Sequence, residues 1–165
     1  MKMFTVRSIR EEEGRSLKVY RDTTGNLTVG VGHKVVPEDG LKAGDEVSKE
    51  RVEELFWADL RTAERGAKRI CKVLGHQPWE VLHALTCMVF QMGYAGTTGF
   101  KKTLSALWDK DYELAAKEML DSRWAREQTP ARAARLAALV GDLASEWTSS
   151  PAGARVLAHA RSSRL

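Results

Sequence analysis

Apolar positions along the chain change period twice. From Met3 to Ile9 they follow helical spacing, with Val6 and Ile9 on one face and Met3 beside them. At about 100° per residue, Glu13 falls inside that apolar stripe, four positions after Ile9 and seven after Val6. Glu11 points almost the opposite way and Glu12 lies at the edge. The pattern predicts a short amphipathic helix over 2–13 with one of three consecutive glutamates aimed inward. A carboxylate there is costly unless it is paired or functional. Gly14 supplies a helix stop.

From Leu17 the period drops to two. Leu17 and Val19 form one apolar face, and Leu27, Val29 and Val31 form another. Asp-Thr-Thr-Gly-Asn between them is turn chemistry, so a β-hairpin with a loop longer than two residues is predicted. The opposite face of the second strand carries Thr28, Gly30 and Gly32, and alternate glycines mark close approach to a backbone. Residues 34–47 read as loop and turn. Ser48 then caps a helix whose stripe of Val52, Leu55, Phe56, Leu60, Ala63, Ala67 and Ile70 runs to about residue 70, roughly 30 Å at 1.5 Å per residue. Beyond it come short helices: one from Pro78, one around Leu104 and Leu107, and others over about 111–121, 130–142 and 151–161. Gly93, Gly96 and Gly99 punctuate a connection, and Thr129-Pro130 marks a helix start. The fold class expected is α+β, mainly helical, within one domain over 1–165. A small hairpin lobe over about 14–47 is joined by the linking helix, about 48–70, to a helical lobe over about 71–165 plus helix 2–13.

Composition refines this only a little. With 43% hydrophobic and 29% charged residues in 165, the chain has material for a core. No apolar run approaches the roughly 18–20 residues of a membrane span, and the first 14 residues lack a signal-peptide core. Synthesis in the cytoplasm is therefore expected, without stable membrane insertion. Cys71 and Cys87 sit in no CxxC or Cys/His cluster, and His33, His76, His83 and His159 lack ligand spacing. Reduced thiols and no metal are expected. The net charge of +4 gathers at the C-terminus, where residues 130–165 carry five arginines against two acidic residues. Such a segment suits contact with an anionic surface, or simply solubilises a helix face.

The chemistry resides in residues 13–33. Two carboxylates, one at a helix end and one in a facing turn, can flank a groove, and glycoside hydrolysis needs such a pair. Glu13, on an apolar stripe, suits the general acid because desolvation raises a carboxyl pKa. Asp22, in a polar turn, is expected to remain ionised. Spacing alone is weak evidence, since chance Glu/Asp pairs nine apart are common.

The surrounding residues are more specific. Glu13-Gly14, Leu17-Lys18-Val19-Tyr20, Asp22-Thr23, Gly25 and Thr28-Val29-Gly30-Val31-Gly32-His33 together resemble the active-site signature of phage-type lysozymes. These are the muramidases of glycoside hydrolase family 24, and the likeness is to the T-even type. It continues through Glu54-Leu55-Phe56, Met88-Val89-Phe90-Gln91-Met92-Gly93, Gly99-Phe100, Ser122-Arg123-Trp124 and Gln128-Thr129-Pro130. The resemblance implies a bilobed lysozyme-like fold and inverting hydrolysis of the β-1,4 bond between N-acetylmuramic acid and N-acetylglucosamine in peptidoglycan. It places the acid on Glu13, the second carboxylate on Asp22 and a water-positioning hydroxyl on Thr28. It also implies substrate contacts at Phe90, Gln91, Thr103 and Glu118, an ion pair of His33 with Asp59, and Arg132 paired with Glu13. No cofactor is implied.

Departures from the pattern are visible as well. Between His33 and Ser48 the chain is shorter by about a helix, so the small lobe should carry a compact Pro-Gly turn instead. Glu118 replaces an asparagine, and the segment after about 141 scarcely matches. The function expected is that of an endolysin-type muramidase, a monomer made in the host bacterial cytoplasm and acting on the wall after release. A non-catalytic peptidoglycan-binding module is the alternative, and intact Glu13, Asp22 and Thr28 argue against it. Nucleic acid is not expected as a partner.

Overall fold

The computed structural model describes residues 5–7, 9–10, 15–22 and 25–145. Residues 5–7 and 9–10 are helical, with Thr5 and Ile9 buried. The rest of the predicted N-terminal helix, Glu13 included, lies outside the described residues, as does the helix predicted at 151–161. The protein is mainly helical with a small antiparallel sheet, an α+β arrangement. It divides into two compact units, Met1–Arg69 with Leu85–Tyr94, and Ile70–Ala84 with Ala95–Leu165.

In the first unit, β1 (Ser16–Arg21), β2 (Leu27–Gly30) and β3 (His33–Lys34) pair antiparallel in the order β1-β2-β3. The sequence pattern carries the second strand on to His33, but it stops at Gly30. Gly30 and Gly32 adopt left-handed conformations (φ 66° and 77°) on either side of Val31. They turn the chain so that His33 and Lys34 return along β2. The alternate glycines are thus turn residues, chosen for a backbone that other residues rarely adopt. Leu17 departs too, at 38% exposed against 2% for Val19. The β1–β2 register is irregular between Ser16 and Tyr20. There the Ser16 hydroxyl donates to the Lys18 carbonyl at 2.8 Å and accepts from the Lys18 N–H at 3.2 Å. This irregularity breaks the strict alternation that would have buried Leu17.

The shortened segment after β3 holds a single 3-10 turn, Pro37–Asp39, closed by Gly40 at φ 67°. The chain then returns beside β1, with Val19 N–H donating to the Asp45 carbonyl at 2.9 Å and Val47 N–H to the Leu17 carbonyl at 2.7 Å. Val19, Val29, Val47, Val52 and Leu55 form the core beneath, with Leu27, Val35 and Leu41 packed around them. Val52 and Leu55 come from the first turns of α1 (Lys49–Leu74), so the sheet is packed on the helix start. The Ser48 hydroxyl accepts from Arg51 N–H at 3.1 Å and caps that start. The predicted stripe is buried from Val52 to Ala67. Arg10 clasps the outer turn of α1. Its guanidinium pairs with Glu53 and stands 4.7 Å over the Phe56 ring and 5.7 Å from that of Trp57.

The next helix, α2 (Trp79–Thr98), is longer than its pattern predicts. Gly93 interrupts it with a non-helical backbone (φ 77°, ψ 170°), as its glycine predicts, and the helix then resumes, so residues 94–98, taken as part of a connection, are helical. In the second unit, α3 (Lys101–Trp108), α4 (Tyr112–Leu120), a π-helical turn (Trp124–Gln128) and α5 (Pro130–Gly141) surround Leu107, Tyr112, Met119, Trp124 and Leu136. Asp111 caps α4 by accepting from Leu114 N–H at 2.9 Å. The end of α1 is held by Gln77, which donates to the Leu74 and Leu107 carbonyls, and by Lys110, whose Nζ reaches the His76 carbonyl at 2.5 Å. Cys71 is half-buried and Cys87 buried, and neither forms a disulfide.

Gly30 and Gly40 share nearly the same φ but not the same surroundings. A Cβ on Gly30 would stand 2.9 Å from Val52 Cγ1, whereas one on Gly40 would meet nothing within 4 Å. Both alanine variants incur left-handed strain, about 1–2 kcal/mol. Gly30→Ala adds overpacking against a β-branched neighbour, about 1–3 kcal/mol. Denaturant titration should find Gly30→Ala the less stable by at least about 1 kcal/mol. Equal losses would mean that Val52 yields freely.

Candidate active site

Asp22 begins the β1–β2 turn. Its N–H donates to the Asn26 carbonyl and its own carbonyl accepts from Gly25 N–H, both at 2.9 Å. Gly25 takes φ 85°, which closes the turn. The Asp22 side chain folds back over it. Oδ1 accepts from Asn26 N–H at 2.9 Å, while Oδ2 lies 3.4 Å from Asn26 Nδ2 and 3.4 Å from Thr28 Oγ1. The Thr28 hydroxyl also lies 3.4 Å from the Asn26 carbonyl, and the residue is 4% exposed. Both contacts of the hydroxyl are long, so neither fixes it firmly. A carboxylate oxygen and a hydroxyl at this separation can share one water molecule.

β3 begins with a second arrangement. His33 Nδ1 lies 2.7 Å from Asp59 Oδ2 on α1, and Nε2 lies 2.9 Å from Asp39 Oδ2 in the 3-10 turn. Asp39 also accepts from Val36 N–H at 2.9 Å and lies 3.5 Å from the Arg51 guanidinium, which pairs with Glu54 at 3.0 Å. The hydrogen bond to Asp59 chiefly raises the His33 pKa above its ordinary 6.5; burial opposes it, and Asp39 adds to it. For Asp39, burial pushes the carboxyl upward. Hydrogen bonds from His33 and Val36 and the charges of His33 and Arg51 outweigh this and hold it below its ordinary 3.8.

Next to this clamp is a cavity of about 520 Å³, lined among others by His33, Lys34, Asp59, Phe90, Gln91 and Tyr94. Phe90 and Gln91 thus meet His33 and Asp59 at one cavity. Phe90 is half-buried, its ring 6.0 Å from that of the buried Phe56. The other candidates lie in the second unit. Thr103 is buried on α3, Arg132 is buried on α5, and Glu118 on α4 stands 3.7 Å from Lys102. Glu13 lies outside the described residues. Among the described residues no group of His, Cys, Asp and Glu is arranged to hold a metal ion.

Two participants escaped the sequence reading. Asp39 stood in a stretch taken for plain loop, and only its geometry shows that it closes the second side of His33. Lys34 followed a strand assumed to end at His33. The available signal was the glycine pair, which allows a turn and a return strand.

The sequence profile of phage lysozyme matches residues 10–141. Over 155 residues the chain is 32% identical to the pre-baseplate central spike protein Gp5 of Enterobacteria phage T4, covering 80% of this chain and 26% of that protein. The chain therefore spans about a quarter of the length of that relative. It is 29% identical over 150 residues to the probable T4-type lysozyme 2 of Dictyostelium discoideum, covering 78% of this chain and 88% of that one. It is 31% identical over 114 residues to an endolysin of Salmonella phage P22, covering 68% and 75%. The chain belongs to the phage lysozyme family and is an enzyme of the lysozyme class.

The His33 clamp should make stability depend on pH from two sides. A raised histidine pKa contributes stability fully below pH 6.5 and loses it as pH rises through the folded value. A lowered Asp39 pKa contributes above pH 3.8 and loses it as pH falls through the folded value. The difference in denaturation midpoint between wild type and His33→Gln should be largest between these limits and shrink in alkali. A difference that stays constant from pH 5 to pH 10 would contradict the clamp.

Proposed function

We propose that this protein is a muramidase that hydrolyses the β-1,4 bond between N-acetylmuramic acid and N-acetylglucosamine of peptidoglycan, with inversion. Glu13 protonates the leaving oxygen. Asp22 takes a proton from a water molecule that Thr28 orients, and that water attacks the opposite face of the sugar. The observation that carries this reading is the convergence of Asp22 Oδ2 and Thr28 Oγ1, 3.4 Å apart on one turn. Such a pair can hold a water, and a merely structural turn has no need of a half-engaged buried hydroxyl. The helical phase that aims Glu13 inward supports its pairing with them. Inversion requires the two carboxyls to stand about 6.5–9.5 Å apart, leaving room for the water.

Phe90, Gln91, Thr103 and Glu118 contact the glycan in this reading, and Arg132 holds Glu13 until substrate enters. His33 and Asp59 support the site without touching the reacting atoms. The biological role proposed is bacterial lysis, by a monomeric endolysin made in the host cytoplasm and released to the wall. The matched endolysin of phage P22 supports that role by its name. Among the described residues no helix is long and apolar enough to cross a membrane.

Purified protein should release reducing ends from isolated sacculi. Glu13→Gln should lower that rate by about 10²–10⁴, the usual scale of a lost general acid. Asp22→Asn and Thr28→Val should also slow release while each variant still binds sacculi. Binding by wild type with no reducing ends would instead favour a wall-binding module.

A further inference from the structure

The cavity lining carries one lysine. Among the described lining residues Lys34 is the only lysine or arginine, and Asp59 the only carboxylate. Asp59 is held by His33 at 2.7 Å, and His33 is answered a second time by Asp39. Some other cations of this unit are engaged, Arg51 with Asp39 and Glu54, Lys68 with Glu64, and Arg69 against the Tyr94 ring at 5.1 Å. Among the described residues no carboxylate pairs with Lys34.

Its position is set by the sheet. In the strand register Tyr20 faces Thr28 and Thr28 faces Lys34, so the three form a row across β1, β2 and β3. Residues directly opposite on antiparallel strands project from the same face, with Cβ atoms about 4.5–5.5 Å apart. The Lys34 side chain therefore leaves β3 on the same sheet face as the hydroxyl that the proposed reaction uses. An anionic group bound to Lys34 would belong to the sugar at the cleaved bond or to its substituent. In peptidoglycan the muramoyl sugar carries a peptide through its lactyl ether, and that peptide supplies free carboxylates.

We infer that Lys34 is a specificity-determining residue that binds a carboxylate of the peptide borne by the muramoyl unit next to the cleaved bond. This rests on the muramidase reading for the identity of the substrate. Lys34 takes no part in the bond-breaking step. It contributes equally to bound substrate and transition state, so its effect falls on KM and leaves kcat little changed. An exposed ion pair of this kind is worth about a twofold to fivefold preference, and salt weakens it.

The test compares two soluble peptidoglycan oligomers with the same glycan, one with free peptide carboxylates and one with those carboxylates amidated. Binding is measured by calorimetry, and turnover separately by reducing ends. Wild type should favour the free acid about twofold to fivefold in both Kd and KM, less at high salt. In Lys34→Met the ratio should fall to about one, and Lys34→Arg should keep it. A wild-type ratio of one, or an undiminished preference in Lys34→Met, overturns the inference. Preferential binding of the acidic oligomer without cleavage would sink the muramidase reading and leave the Lys34 site standing. Cleavage without preference would do the reverse.

Discussion

One imidazole ties together three pieces of the first unit that local forces alone would leave loose. β3 has only two residues, the 3-10 turn has three, and both must be held against α1. His33 does this by presenting each ring nitrogen to a carboxylate, Asp39 from the turn and Asp59 from the helix. Removing charged groups from water is costly, and only good geometry with further hydrogen bonds offsets that cost. Here Val36 N–H and Arg51 supply the remaining contacts to Asp39. The clamp thus holds the short strand and the turn against the helix. It also explains how a short lobe keeps a defined wall for the adjacent cavity.

The fixed wall matters because strand register transmits it. Once β3 is held, Lys34 must face Thr28, and Thr28 must face Tyr20 on β1. The turn after β1 then brings Asp22 back over Asn26 toward the same hydroxyl. Clamp, sheet row and turn are three local devices with one result, a carboxylate and a hydroxyl set side by side near a cavity. The family to which the chain belongs includes relatives that it nearly spans and one of which it is a small part. A site built from such short-range contacts suits use in either setting.

What could be read from the sequence followed from periodicity. The buried stripe of α1 and the Ser48 cap depend on neighbours three and four residues away, so the pattern shows them directly. The Asp-Thr-Thr-Gly-Asn turn was equally legible, because Asx and glycine chemistry acts within a few residues. The reading faltered where one residue had two uses. Gly30 and Gly32 looked like a smooth strand face but take positive φ and end the strand. Gly93 does break the helix as its glycine suggests, but the residues after it return to helix. Leu17 obeyed the alternation that the irregularity beside it cancels. Asp39 was out of reach for a different reason. Its partnership with His33 exists only after the chain has turned twice, and no spacing rule encodes it. Glu13 was singled out by helical phase, and that inference still stands on phase.

In the proposed mechanism Asp22 and Thr28 direct a water molecule, with no covalent bond formed to the enzyme. Proton NMR of the anomeric region during the first minutes of hydrolysis tests this most directly. Attack by water opposite the leaving group turns the β-linkage into an α-configured reducing sugar. The α-anomer of the new muramic acid end should therefore appear first and equilibrate later. Initial appearance of the β-anomer would contradict it and assign Asp22 the part of a nucleophile.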